Sequence, residues 1–164
     1  MPTTLKFKRG NQAAADAFTG ANGEIYINTT DFSLRIHDGT TVGGHAMAAE
    51  IGTAVSDETT ALTTGAAKIT FRMPHAMTLT SVRLSTTTAP TGAALIVNIK
   101  QGGTSIFSTK PQIDAGATTS VGSAVTPVIS TSSLTDNAVI TIDVDQIGSS
   151  TAGAGLKVWL IGTR

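Results

Sequence analysis

The chain has no cysteine, few aromatic residues, few charged residues and no long apolar run, and each of these absences excludes a class of protein. Without cysteine no disulfide framework can form, so stability must come from core burial and assembly. A formal net charge of zero, with only 13% charged residues, leaves no basic excess for nucleic acid or an anionic membrane surface. No apolar run reaches transmembrane length, and residues 1–8 lack the apolar stretch of a signal peptide. We therefore expect folding in a reducing cytoplasm.

Threonine, serine and glycine are what the chain has in abundance, and they favour strands and turns over helices. A length of 164 residues fits a small module followed by a larger domain. Gly43-Gly44 and a change of pattern place the predicted boundary near Glu50, which gives a module at 1–50 and a domain at 51–164. A module of this size buries too little surface to be stable alone and is expected to need a partner.

The module is predicted to contain one helix and a hairpin. A strand is expected at 5–8, and Asn11 is placed to cap a short helix over 12–18. Two further strands, at 24–28 and 33–37, are expected to form a hairpin, and Asp38-Gly39 marks the turn that follows. Six apolar residues are predicted to form a core completed by neighbouring subunits: Phe7, Phe18, Ile25, Ile27, Leu34 and Ile36.

The remainder of the chain is predicted to be an antiparallel β-sandwich, most simply a jelly roll, so that the protein is all-β overall. Residues 45–50 are assigned to a helical turn or a linker. Several segments alternate apolar and polar residues with period two, which is typical of strands with one buried face. The predicted strands are 59–63, 68–73, 78–85, 93–100, 104–109, 124–130, 138–144 and 156–161.

No motif in the chain predicts catalysis or a bound cofactor. Asp143 and Asp145 lie on one strand face, where they supply too few ligands for a hard cation unless Asp136 or Asp57 joins them. The simpler interpretation is a solvated strand face that discourages edge pairing. The histidines are expected to be surface or packing residues. We predict no enzyme, no metal and no cofactor.

Trp159 is the single tryptophan, and the alternation of its strand places it on the outward face. Three roles fit this residue: an anchor in an interface, a core residue if the register is shifted by one, and a platform for a ligand. It is the one candidate receptor-binding residue in the sequence.

The order of motifs at the start of the chain resembles the N-terminal module of bacteriophage tail-fibre and receptor-binding proteins. The stretch begins with a basic-Arg-Gly segment, continues with a Gly-Glu-hydrophobic strand and closes on a hydrophobic-x-Asp-Gly-Thr-Thr turn. The matching residues are Arg9, Gly10, Phe18, Gly20, Gly23, Glu24, Leu34, Asp38, Gly39, Thr40 and Thr41. In that family the module is typically close to the virion and trimeric.

The resemblance implies a phage virion structural protein, made in the host bacterial cytoplasm, that forms a homotrimer. It would be a short tail fibre or spike attached to other virion proteins of the tail, baseplate or capsid. Its receptor would be a host surface glycan or protein. The alternatives are a capsid cement, decoration or head-fibre protein, a carbohydrate-active enzyme and a stand-alone lectin. The implied attachment and trimer residues are Phe7, Arg9, Phe18, Glu24, Ile25, Leu34, Ile36 and Asp38.

Overall fold

A computed structural model of the chain describes residues 7–30 and 32–164. Contacts divide the chain into two compact units, residues 1–48 with 163–164 and residues 49–162. The first part of the strand predicted at 5–8 and position 31 of the predicted hairpin loop lie outside the described residues. None of the helices in the described residues is long and apolar enough to cross a membrane.

The N-terminal unit is a small sheet with one helix on one of its faces. Its elements are β1 (Lys8–Gly10), α1 (Gln12–Ala17), β2 (Ile25–Asn28), β3 (Leu34–Ile36) and β4 (His45–Ala46), in the sheet order β1-β2-β3-β4. Strand β1 runs parallel to β2, and the other pairs are antiparallel. Helix α1 begins where predicted, because the Asn11 side chain accepts a hydrogen bond from the Ala14 amide at 3.0 Å.

The C-terminal unit contains two main sheets that share one hydrophobic core. Its strands are β5 (Ala48–Ala54), β6 (Gly65–Arg72), β7 (Met77–Ser85), β8 (Leu95–Gln101), β9 (Thr104–Ser105), β10 (Phe107–Thr109), β11 (Gln112–Ile113), β12 (Val128–Ile129), β13 (Ser133–Leu134), β14 (Val139–Gln146) and β15 (Lys157–Thr163). The first sheet has the order β11-β8-β14-β6, with β9 paired to β8, and the second has the order β13-β7-β15-β5. A separate two-stranded sheet joins β10 and β12.

The core of this unit comes from the alternating apolar residues of the long strands. On β14 the inward residues are Ile140, Ile142 and Val144, all buried, and on β15 Val158 and Leu160 are buried in the same way. Because side chains alternate across a strand, each sheet contributes one apolar face to the space between them. The predicted all-β class is confirmed, with a helix content limited to α1 among the described residues.

Two of the strand predictions are wrong, and so is the prediction for residues 45–50. Residues 59–63 form a loop, and most of 124–130 is also a loop, in which only β12 is a strand. The segment 45–50, predicted as a helical turn or linker, instead contains β4 and the start of β5, whose residues Ala49 and Ile51 pack against the core. Alanine and glycine in β5 hid its period-two pattern, because small residues carry little contrast between a buried and an exposed face.

Candidate functional site

The sheet of the N-terminal unit has a helix face and an opposite face, and the two differ in what covers them. On the helix face, Tyr26 and Asn28 are buried beneath α1, together with Ala15 of the helix. The Asn28 amide donates to Gln12, and Arg35 pairs with Asp16 at 2.8 Å, so polar contacts tie the helix to the sheet. This face is therefore a finished small core within one chain.

His37 and Phe18 complete the helix face. The His37 side chain is 1% exposed, and its ring meets Phe18 edge-on at 4.9 Å between centroids. Its Nδ1 accepts a hydrogen bond from the Gly20 amide at 3.1 Å, which places the proton of the neutral ring on Nε2. A Cβ at Gly20 or Gly44 would lie within 2.8 Å of this ring, so glycine is required at both positions for close packing. The prediction of a packing histidine holds for His37.

The opposite face carries aliphatic side chains, of which those of β2 are half-buried and those of β3 are exposed. Cross-strand pairs place Ile25 opposite Ile36 and Ile27 opposite Leu34. Ile36 is 53% exposed and Leu34 is 39% exposed, while Phe7, just before β1, is 46% exposed. We call the four aliphatic residues Ile25, Ile27, Leu34 and Ile36, together with the neighbouring Phe7, the aliphatic face.

The predicted core of six apolar residues is therefore wrong as a single cluster. Phe18 lies on the helix face, whereas the other five residues form the aliphatic face. The physical reason is the alternation of side chains along β2 and β3, which sends Tyr26 and Arg35 toward the helix and the aliphatic residues away from it. Tyr26 was not predicted as a core residue, because a tyrosine among isoleucines does not stand out in an apolar pattern.

The structure also places three further residues of the predicted interface, Phe18, Glu24 and Arg9. Phe18 packs on the helix face, where the Lys8 ammonium lies 3.5 Å from its ring centroid. The Glu24 carboxylate accepts a hydrogen bond from the Ala21 amide at 2.9 Å. Arg9 pairs in register with Ile27 and so belongs to the side of the aliphatic face, and it forms no ion pair within the described residues.

Asp38 organises the turn that closes the motif. Its carboxylate accepts hydrogen bonds from the amides of Thr40 and Thr41, at 2.9 and 2.7 Å, and from the Thr41 hydroxyl at 2.7 Å. His45 Nε2 lies 3.0 Å from the same carboxylate. These bonds, the Thr41 amide first, hold the pKa of Asp38 far below its usual value. Gly39 has a φ of 87°, which explains the glycine after the aspartate.

In the C-terminal unit, Asp143 is a buried structural carboxylate. It is 3% exposed on β14, an interior strand between β8 and β6. Its oxygens accept a hydrogen bond from the Ala67 amide at 2.7 Å and pair with Lys100 at 2.6 Å. Burial acts to raise the pKa of Asp143, but Lys100 and the Ala67 amide outweigh it and the net direction is downward.

The interpretation of Asp143 as part of a solvated face is thus wrong, and so is the half-formed cation site. Asp145 pairs with Lys110 at 2.6 Å rather than with another carboxylate. Within residues 7–30 and 32–164, no group of three acidic or histidine side chains is arranged to hold a metal ion. The alternation pattern could not show that a lysine pairs with each aspartate.

Trp159 is half-buried on the outer face of the second sheet, as the alternation predicted. A Cβ at Gly52 would lie 3.0 Å from the indole nitrogen, so the ring packs directly against the glycine of the neighbouring strand β5. The shifted register that would bury Trp159 in the core is wrong. The interface and ligand roles stay predictions.

Four long loops gather at one end of the C-terminal unit, which we call the loop end: 55–64, 86–94, 114–127 and 147–156. Backbone hydrogen bonds join them, from Leu62 to Gly153 at 2.8 Å, from Thr87 to Ala154 at 2.9 Å and from Gly116 to Pro90 at 2.7 Å. The connections at the other end, 73–76, 102–103 and 135–138, are short.

Carboxylates stiffen these loops from within. Asp57 accepts the amides of Thr60 and Thr59, at 2.6 and 2.9 Å, and these bonds lower its pKa to about 2. Asp114 does the same for loop 114–127, where the amide of Ala124 donates at 2.7 Å and lowers the pKa of the carboxyl. Lys157 pairs with Glu58 at 2.6 Å and is the main cause of the lowered pKa of Glu58.

Comparison with known proteins finds one family match. Residues 5–41 match the family model described as the major tropism determinant N-terminal domain. The resemblance to phage receptor-binding proteins is thereby confirmed for that segment. No curated protein matches the chain.

Three solved structures are similar to a larger part of the chain. They are the P3c, I1 and U1 variants of Major Tropism Determinant, each 22% identical in sequence, with a TM-score of 0.27. The matches cover 80%, 79% and 80% of this chain and 36%, 35% and 36% of those chains. The chain therefore spans about a third of the length of these proteins.

Proposed function

We propose that the chain is a phage virion protein whose N-terminal unit assembles and attaches and whose C-terminal unit binds the host surface. The observation that carries the proposal is the aliphatic face, which lies within the segment that matches the tropism-determinant domain. A small buried core on one side of the sheet and partly exposed aliphatic side chains on the other fit a module completed by copies of itself.

A homotrimer is the assembly that the proposal specifies, with Ile25, Leu34 and Ile36 facing neighbouring subunits. Arg9 stands at the border of the aliphatic face, where a carboxylate of another subunit or of a virion protein would pair with it. The C-terminal unit is proposed to be a jelly roll. Its strand order supports this, since β5, β7, β13 and β15 lie in one sheet and β6, β8, β11 and β14 in the other.

Within this class the particle position separates two roles. A short tail fibre or spike would be found at the tail or baseplate and would bind host cells. A capsid decoration or head-fibre protein would coat the shell and stabilise it. Gold-labelled antibody against the chain, applied to particles of the phage that encodes it, distinguishes the two in electron microscopy. Label on the capsid surface alone would refute the tail-fibre role, and unlabelled particles would refute the virion assignment.

We also propose that the protein is a binder and not an enzyme. Four aspartates of the C-terminal unit are engaged in structural contacts: Asp143 and Asp145 with lysines, Asp57 and Asp114 with loop amides. A glycosidase needs two carboxylates flanking the bond that it cleaves. Purified protein incubated with host polysaccharide should release no oligosaccharide detectable by chromatography. Depolymerisation that is lost in Asp57→Asn would overturn this proposal.

A further inference from the structure

We propose that the loop end is the receptor-binding surface and that its ligand is an uncharged glycan; this rests on the proposed function of host binding. Four loops from both sheets meet there, and their backbone bonds fix them relative to one another. A surface that is already ordered loses little conformational entropy when it binds.

The path of the chain distinguishes the two ends of the C-terminal unit. Strand β5 leads from the N-terminal unit into the sandwich, and Val55, just after it, bonds to Leu156 at 2.8 Å in the loop end. The first residue of this seven-residue strand, at roughly 3.3 Å per residue, therefore lies at the end with the short connections. The loop end is the end of the C-terminal unit at which the chain does not enter.

The charge of the loops argues against an anionic ligand. None of the four loops contains lysine or arginine, whereas Asp57, Glu58 and Asp114 each bring a carboxylate. Two lysines border the loops, and both are engaged: Lys157 with Glu58, and Lys68 with the Thr63 hydroxyl at 2.6 Å. A phosphate or uronic-acid polymer would meet net negative charge at this surface.

The side chains of the loops fit a glycan better than a protein. Binding hot spots between proteins are enriched in Trp, Tyr and Arg, and the four loops contain none of these. Threonine is their commonest residue, and a hydroxyl both donates and accepts hydrogen bonds, as sugar hydroxyls do.

A pocket of about 150 Å³ under loop 55–64 could bind part of such a glycan. Its wall is apolar at Val55, Leu62 and Val144, and polar at Asp57, Thr60 and Lys68, whose ammonium donates to the Thr63 hydroxyl. Val121, 61% exposed in loop 114–127, adds apolar surface elsewhere on the same end. With no aromatic platform, each site is expected to bind weakly, and the copies in an assembly would supply the avidity.

The test is binding of the full chain to host cells by a matched pair of variants, Thr88→Lys at the loop end and Thr135→Lys at the opposite end. Both threonines are exposed, and neither hydroxyl makes a hydrogen bond within the described residues. An added lysine strengthens general attraction to an anionic cell surface, so a loss cannot come from repulsion. We expect Thr88→Lys to weaken binding about tenfold or more and Thr135→Lys to leave it unchanged, with both variants keeping the melting temperature of the unchanged chain.

The ligand class is tested by inhibition with host surface polysaccharide, separated by anion exchange into uncharged and anionic pools. The uncharged pool should block cell binding and the anionic pool should not. Inhibition by the anionic pool alone, or loss of binding after protease treatment of the cells, would overturn the glycan assignment. Loss in Thr135→Lys with full binding by Thr88→Lys would overturn the location. Absence of any cell binding by the unchanged chain would instead refute host binding itself, and the further inference with it.

Discussion

The two units of this protein treat their large apolar residues in opposite ways. In the C-terminal unit, isoleucine, leucine and valine of both sheets fill one shared core, with residues such as Ile99 and Leu156 fully buried. In the N-terminal unit the buried core is small, with Ala15 and Tyr26 as its buried apolar members among the described residues. Leu34 and Ile36 remain on the surface.

This difference in apolar burial indicates that the C-terminal unit can fold alone and that the N-terminal unit needs a partner. Burial of apolar area is the main favourable term in folding, and a short chain has little area to bury. Aliphatic side chains that remain in water contribute this favourable free energy only when another surface covers them. The C-terminal unit already buries its apolar core within one chain, so the two units should respond differently to truncation, mutation and acid.

The largest expected effect is the loss of assembly by Leu34→Asp. In a trimer built through the aliphatic face this change buries an unpaired carboxylate, at a cost of several kcal/mol. In a single chain Leu34 is 39% exposed, so the fold of each unit should survive. Light scattering should report a trimer for the unchanged chain and a monomer for the variant. Val42→Asp is the control, since Val42 is exposed in the same unit outside the aliphatic face, and it should stay trimeric. If the chain without substitutions is a monomer in light scattering, the proposal that the aliphatic face forms a trimer interface is contradicted.

Truncation should separate the units almost as sharply. A fragment starting at Ala48 retains all of β5 and is expected to melt in one cooperative step, with a free energy of unfolding of roughly 5–10 kcal/mol. A fragment starting at Ile51, as the predicted boundary suggests, would cut β5 and melt lower. A peptide of residues 1–48 should show no cooperative melt at micromolar concentration, by circular dichroism. A cooperative, concentration-independent melt of that peptide would contradict the need for a partner.

How well each strand could be predicted from the sequence depends on how strongly its buried and exposed positions differ in hydrophobicity. Strand β14 alternates isoleucine and valine with polar residues, strand β15 has valine and leucine at alternate positions, and both were predicted to within two residues at each end. Strand β5 contains mostly small residues such as alanine and glycine, and it was not predicted because its buried and exposed positions differ little in hydrophobicity. The apolar residues of the aliphatic face were identified, but their separation from Phe18 required the register of β2 against β3.

Contacts between distant segments were beyond prediction for a different reason. The pairing of Asp143 with Lys100 and with the Ala67 amide depends on which strands are neighbours, and no local pattern encodes this. The gathering of four loops at one end likewise follows from strand order and not from the loops themselves. The turn motif at Asp38 was readable because all its hydrogen bonds are local.

A smaller effect is expected within the C-terminal unit, at its two ion-paired aspartates. Asp143→Ala leaves the Ala67 amide and Lys100 without their acceptor at a buried site, and should lower the free energy of unfolding by about 2 kcal/mol. Asp145→Ala removes an exposed pair with Lys110 and should cost less than about 1 kcal/mol. Urea denaturation of the two variants measures the difference. Equal losses would mean that burial of Asp143 contributes nothing.

The smallest effect is expected at a turn of the same type that occurs once in each unit. Asp38-Gly-Thr-Thr and Asp57-Glu-Thr-Thr each use the aspartate to accept the amides of the two threonines. The pKa of Asp57 falls from 3.8 to about 2, so the unfolded chain takes up a proton first as the pH drops. The stability due to Asp57 is therefore complete above pH 4 and lost between about pH 4 and pH 2.

Asp57→Asn should accordingly melt below the unchanged chain at pH 5, and the difference should shrink toward zero near pH 2. Asp38→Asn is the matched variant in the N-terminal unit, where the stronger lowering of the pKa keeps the carboxylate charged to lower pH. Its effect should therefore persist at pH 2, and should appear in assembly, measured by light scattering, and not in the melt of the C-terminal unit. A pH-independent gap between Asp57→Asn and the unchanged chain would show that the aspartate acts through its shape and not through its charge.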